Sequence, residues 1–121
     1  MTANFVLDVK EAWANSANKF FDGLAAGKPI LLNHGGWMQD LVNSYNCGLC
    51  MYGKTFEVTA KELDLAMSDP DWLKSAGKSA KELGKKFFDR DLLAERFEKV
   101  LHASKNNKSD LVEKIADGIY T

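Results

Sequence analysis

The chain has 121 residues, 45 % of them apolar, which is enough for one domain with a usable core. A formal net charge of −1, with 27 % charged residues, excludes the strongly basic footprint needed to track a nucleic-acid backbone. Residues 1–10 lack a basic start followed by a long apolar run, and runs such as Ile30-Leu31-Leu32 fall far short of the roughly 20 residues that span a bilayer, so a soluble cytoplasmic domain is expected.

Short apolar runs alternate with helical patterns from the start. Phe5-Val6-Leu7-Asp8-Val9 reads as a buried strand. After a polar connection, Ala17 to Ala26 reads as a helix with Phe20, Phe21, Leu24 and Ala25 on its apolar side, stopped by Gly27. A second strand is expected at Ile30 to Asn33. Gly35-Gly36 then turn into a helix over Trp37 to Tyr45, and a third strand follows at Leu49 to Tyr52.

The remainder reads as helical. Thr59-Ala60-Lys61-Glu62 fits a capping box, in which hydroxyl and carboxylate satisfy free amides at a helix start, and the helix it opens carries Leu63, Leu65, Ala66 and Met67. Asp69-Pro70 starts another helix that runs to about Phe87, with Gly77 and Gly84 as weak points. Asp89 and Asp91 favour the start of a third, with Leu93, Phe97, Val100 and Leu101 as its buried stripe. Ser104 to Lys108 is a polar break, and Ser109 caps a last helix bearing Leu111, Val112, Ile115 and Ile119.

The expected fold class is therefore α/β: half of a Rossmann-like doubly wound parallel sheet, about three strands, with C-terminal helices over 87–121, all within one partial domain spanning 1–121.

One stretch differs from ordinary core. Residues 15–29 lie where a strand's carboxyl end passes into a helix, the edge at which open α/β sheets bind ligands. A helix amino terminus offers unpaired amides and a partial positive charge, both suited to phosphate. Ser16 would cap the helix or donate to a phosphate oxygen, and Lys19 adds a full charge in the first turn. Asn18 and Asp22 share one face, and a carboxylate one turn below a phosphate is placed to accept from ribose hydroxyls. The plainer reading stands beside it: Asn15 or Ser16 as an ordinary cap, Lys19 as a solvated charge and Asp22 as a surface acid.

The single Cys-x-x-Cys, Cys47 and Cys50, has redox or half-zinc spacing, but it flanks an apolar strand rather than opening a helix, so packing is the expected role. His34 is expected as a solvent-facing turn residue. Lys74, Lys78, Lys81 and Lys85 share one helical face, expected to be solvated, with weak peripheral contact to anionic lipid headgroups as the alternative.

The segment from Asn15 through Ser-Ala-Asn-Lys-Phe-Phe-Asp-Gly-Leu-Ala-Ala-Gly-Lys to Pro29 resembles a signature of bacterial glycosyltransferases with the two-domain GT-B fold. The likeness is to family 4 enzymes of capsule, O-antigen and exopolysaccharide synthesis. The Ile30-Leu31-Leu32-Asn33-His34-Gly35-Gly36-Trp37 block, Asn46-Cys47-Gly48-Leu49, and the region from Gly77 to Leu101 are similar to successive parts of the same domain, so the resemblance covers about Phe5 to Leu101.

That resemblance implies a nucleotide-sugar donor, with UDP as the expected nucleotide, and no metal or other cofactor. Asp22 stands where the family carries the second acid of a paired-acid motif that holds the ribose. Asn18 and Lys19, with the amides around Ser16 and Ala17, would lie against the diphosphate, and Gly35 and Gly36 would let the backbone turn tightly near the cleft. The implied reaction is retaining, and no catalytic base or nucleophile is identifiable. Two departures stand out. The first acid of the pair falls at Ala14, which has no ionisable group. The acceptor domain and the first half of the donor domain have no counterpart in this sequence. Transfer requires both domains to hold donor and acceptor and exclude water, so the expectation is no transferase activity from this polypeptide alone. The missing N-terminal half, or self-association through an open strand edge at residues 5–9, is the expected partner. The alternative is a non-catalytic nucleotide-binding or interaction subunit that complements a separate chain.

Overall fold

The computed structural model describes residues 1–6 and 9–106. They divide into two compact units, one from Met1 to Gly84 and one from Lys85 onward.

The first unit is an α/β layer built on a three-stranded, all-parallel sheet in the order β1 (Thr2–Asn4), β2 (Ile30–Leu32), β3 (Gly48–Cys50). Thr2, Ile30 and Gly48 stand in register, as do Asn4, Leu32 and Cys50. A 3₁₀ turn (Lys10–Ala14) and α1 (Asn18–Ala25) connect β1 to β2, and α2 (Trp37–Ser44) connects β2 to β3. β2 is buried along its whole length, as a central parallel strand must be. Phe20 and Leu24 from α1 and Met38 and Val42 from α2 are likewise buried, so the three-and-four spacing read from the sequence marks the faces that close the core.

The first strand lies earlier in the chain than its apolar pattern suggests. Residues 2–4 pair with β2, Thr2 N–H donating to the Pro29 carbonyl at 2.8 Å, while Phe5 and Val9 are exposed. Polar Asn4 takes a buried strand position because its amide finds partners there, donating to His34 Nε2 and Met38 Sδ, each at 3.5 Å. The ladder ends one residue further on. The Asn33 side-chain amide accepts from Val6 N–H at 3.0 Å and donates to the Val6 carbonyl at 2.8 Å, in place of a neighbouring strand. Leu7 and Asp8, also in the expected strand, lie outside the described residues.

α3 (Phe56–Met67) also starts earlier than expected. Thr55 is its cap, its hydroxyl accepting from Val58 N–H at 3.3 Å. Both members of the expected capping box are otherwise engaged: the Thr59 hydroxyl donates to the Thr55 carbonyl at 3.0 Å and Glu62 pairs with Lys54 at 2.6 Å. α4 (Pro70–Phe87) starts where Asp69-Pro70 indicates, one carboxylate oxygen of Asp69 accepting from the amides of Asp71 and Trp72. Its two glycines are packing points rather than weak points. A Cβ at Gly77 would lie 2.5 Å from the Gly27 carbonyl oxygen, and one at Gly84 would lie 3.2 Å from Leu24 Cβ. The absent side chains let α4 sit directly on α1 and the turn that follows it.

In the second unit, α5 (Arg90–Lys105) begins at Asp89, whose carboxylate accepts from the amides of Asp91 and Leu92, as its sequence indicates. The helix ends at Lys105, two residues into the expected polar break, and Asn107 and Lys108 lie outside the described residues. Its apolar stripe is largely exposed: Leu93, Phe97 and Leu101 are 38 %, 64 % and 54 % exposed and Val100 is half-buried, while Ala103 is the buried residue among those described. Periodicity identified residues on one face, but nothing in their spacing specified a surface to cover them. The final helix expected from Ser109 lies outside the described residues.

Candidate functional site at the carboxyl edge of the sheet

In a parallel sheet every connecting helix begins at the carboxyl ends of the strands, so α1, α2 and α3 all present their amino termini to one edge. Two places on that edge have distinct chemistry.

The first is the paired start of α1 and α2. Ala17 occupies the cap position of α1 and offers no cap side chain, while Phe20 N–H donates to the Ala17 carbonyl at 3.0 Å. Ser16, expected to cap, is exposed and does not, because the helix begins one residue beyond its reach. Asn18, Lys19 and Asp22 are exposed, and Ala17 is half-buried. Aromatic contacts bring this helix start against that of α2: Trp37 stacks on Phe21 at 6.3 Å and meets Phe20 edge-on at 5.6 Å. Gly36 caps α2 with φ 95°, a conformation that an L side chain resists. Gly35 is buried and Gly36 half-buried, both packed against Trp13. The predicted residues of 16–22 and 35–36 thus belong to two neighbouring helix starts. Ala14, at the position of the absent acid, ends the 3₁₀ turn and is exposed.

Trp13 was not singled out by its sequence, where it is one aromatic residue in a polar connection. Its ring lies over Gly35, its Cβ and carbonyl face Gly36, and the ring meets Tyr52 edge-on at 4.7 Å, tying the 3₁₀ turn to the exits of β2 and β3. Its indole N–H and the Asn15 carbonyl oxygen are buried without hydrogen-bond partners, while the Asn15 amide N–H₂ donates to the Ala12 carbonyl.

The second place is a cavity of about 490 Å³ at the exits of β2 and β3, lined by Phe5, Met51, Tyr52 and Phe56 together with the polar Asn33, Lys54 and Thr59. None of the residues predicted from the sequence lines it.

His34 is fully buried, not solvent-facing. Its Nδ1 lies 2.8 Å from the Gly35 carbonyl oxygen and its Nε2 accepts from Asn4, a pattern satisfied by the tautomer with the proton on Nδ1. The ring thereby braces the turn into α2. Cys47 and Cys50 are both buried free thiols, and burial, the dominant cause, pushes each up to about 11. At neutral pH both stay protonated, which suits packing and not redox chemistry. Among the described residues no group of three or more His, Cys, Asp or Glu side chains could hold a metal ion, and no helix is long and apolar enough to cross a membrane. The α4 lysines Lys74, Lys78, Lys81 and Lys85 are exposed, with Lys78 at 3.9 Å from Glu82. Comparison with protein-family models, curated proteins and solved structures finds no match to this chain.

Proposed function

We propose that the chain is the nucleotide-sugar-binding portion of a cytoplasmic GT-B-type glycosyltransferase, corresponding to half of a Rossmann-like domain and holding a UDP-sugar donor at the paired starts of α1 and α2. The observation that carries this reading is the uncapped amino terminus of α1, set beside that of α2, with Asn18, Lys19 and Asp22 exposed around it. The amides of Asn18 and Lys19, which no cap side chain engages, and the helix dipole favour a diphosphate, Lys19 adds charge, and Asp22 one turn away accepts from ribose hydroxyls. The chain's own part is to bind and orient the donor. Transfer to a glycan or lipid-linked acceptor requires the acceptor domain, and β1, which pairs on one side only among the described residues, is the edge to which a complementary half would add.

The test is a titration of UDP followed by amide chemical shifts, first into the chain alone and then with a complementary donor-domain half added. Saturable shifts at Asn18, Lys19 and Asp22, weakened in Asp22→Ala, are expected in at least the reconstituted form. Their absence in both forms sinks the reading.

A second reading, a non-catalytic interaction subunit, is favoured by the exposed Leu93, Phe97 and Leu101 on α5, spaced four apart. It expects tight association with a partner chain that UDP does not change and that Phe97→Asp abolishes.

A further inference from the structure

We infer that the cavity at the exits of β2 and β3 is a second binding site, for a neutral carbohydrate, separate from the nucleotide site proposed at α1 and α2 and independent of it. Its volume of about 490 Å³ suits a small molecule, and it lies on the ligand-binding edge of the sheet. Three aromatic side chains open onto it: Phe5 is 56 %, Tyr52 42 % and Phe56 81 % exposed. Single exposed apolar residues are ordinary, but three rings around one cavity form a platform. Tyr52 is held in place by its edge-on contact with Trp13. At the mouth Gly53, with φ 78°, has open space where a side chain would project, so access is unobstructed.

The polar inventory selects the ligand. Both ends of the Asn33 amide bond to Val6 and the Thr59 hydroxyl donates to the Thr55 carbonyl, yet the amide keeps a second N–H and a second lone pair and the hydroxyl keeps its acceptor lone pairs. Tyr52 adds its hydroxyl, and Lys54, which lines the cavity, is paired 2.6 Å away with Glu62 outside the lining, each side chain a little over one-third exposed. An ammonium with spare N–H groups beside a carboxylate with spare lone pairs offers donor and acceptor together. Their charges cancel, so the pair does not attract a free phosphate, and an anion would have to compete with Glu62 for Lys54. A purely apolar ligand would cover the rings but leave the pair unmatched. A pyranose fits both: its C–H face lies on an aromatic ring while its hydroxyls accept from Lys54 and exchange hydrogen bonds with the spare positions of Asn33, Thr59 and Tyr52.

The experiment titrates the 121-residue chain with neutral tri- and tetrasaccharides of glucose, galactose, mannose and N-acetylglucosamine, and in parallel with UDP and with anilinonaphthalene sulfonate. Saturable shifts at Tyr52, Gly53, Lys54 and Phe56 with at least one saccharide, without movement at Asn18–Asp22, are expected. Phe56→Ala should weaken that binding about tenfold with an unchanged melting temperature, because the ring is almost fully exposed, and Lys54→Met should weaken it comparably. No response to any saccharide, a response to the dye alone, or UDP moving these amides while saccharides do not, each overturns the assignment. A failure of UDP at α1 leaves it intact.

Discussion

The unit before Gly84 and the unit after it solve the same problem to different extents. In the first, β2 is buried throughout and the backbone is packed so closely that glycine is required: a Cβ on Gly48 would run into the carbonyl and backbone nitrogen of Ile30 on the neighbouring strand. In the second, α5 is well capped and has an apolar stripe of helical spacing, yet Leu93, Phe97 and Leu101 remain exposed. The local cap is better in the second unit, where Asp89 accepts from two first-turn amides of α5, than at α1, whose cap position is Ala17. Burial depends on a second surface, and a helix pattern carries no information about one.

The comparison breaks most decisively at Gly48. Gly48→Ala should abolish the folded state or cost more than about 3 kcal/mol, because main-chain atoms of β2 would have to move. Urea denaturation that finds it within about 1 kcal/mol of wild type would mean the strands are not so closely apposed. Leu24→Ala, at a fully buried position, should cost about 2–5 kcal/mol in the same assay.

The two thiols sharpen the contrast through pH. Each titrates near 9.0 when unfolded and is pushed to about 11 by burial in the folded chain. Between these values the unfolded chain has released protons that the folded chain retains, so stability falls as pH rises from about 9 to 11. Denaturation midpoints across that window should decline, and a Cys47→Ala, Cys50→Ala double variant should flatten the decline. Thiol reagents should label neither cysteine at neutral pH until the chain unfolds. The smallest effect belongs to the second unit: Phe97→Ala should change stability by no more than about 0.5 kcal/mol, since its ring is already largely in water. A loss comparable to that of Leu24→Ala would show that this face is covered in solution.

The candidate sites were legible unevenly. The α1 start stood out because Ser16, Asn18, Lys19 and Asp22 are polar residues at a strand-to-helix transition, although the cap falls on Ala17. The cavity left no sequence signal. Tyr52 and Phe56 lie where β3 passes into α3, but Phe5 and Asn33 reach the cavity from the exits of β1 and β2, and each looks ordinary in its own segment. Trp13 was missed for the same reason. His34 appeared solvent-facing because it precedes two glycines, whereas Asn4, thirty residues earlier, provides its buried partner.

By itself the sequence determined the alternation of elements, the apolar faces of α1 and α2, and the starts of α4 and α5, because these follow from periodicity and from caps that act within one turn. The tertiary structure alone decided that β1 begins at Thr2, that Gly77 is a contact point, and that the α5 stripe is largely exposed. Each of those outcomes depends on an atom from a distant part of the chain, or on the lack of one. A local pattern records which residues share a face; it does not record what lies opposite.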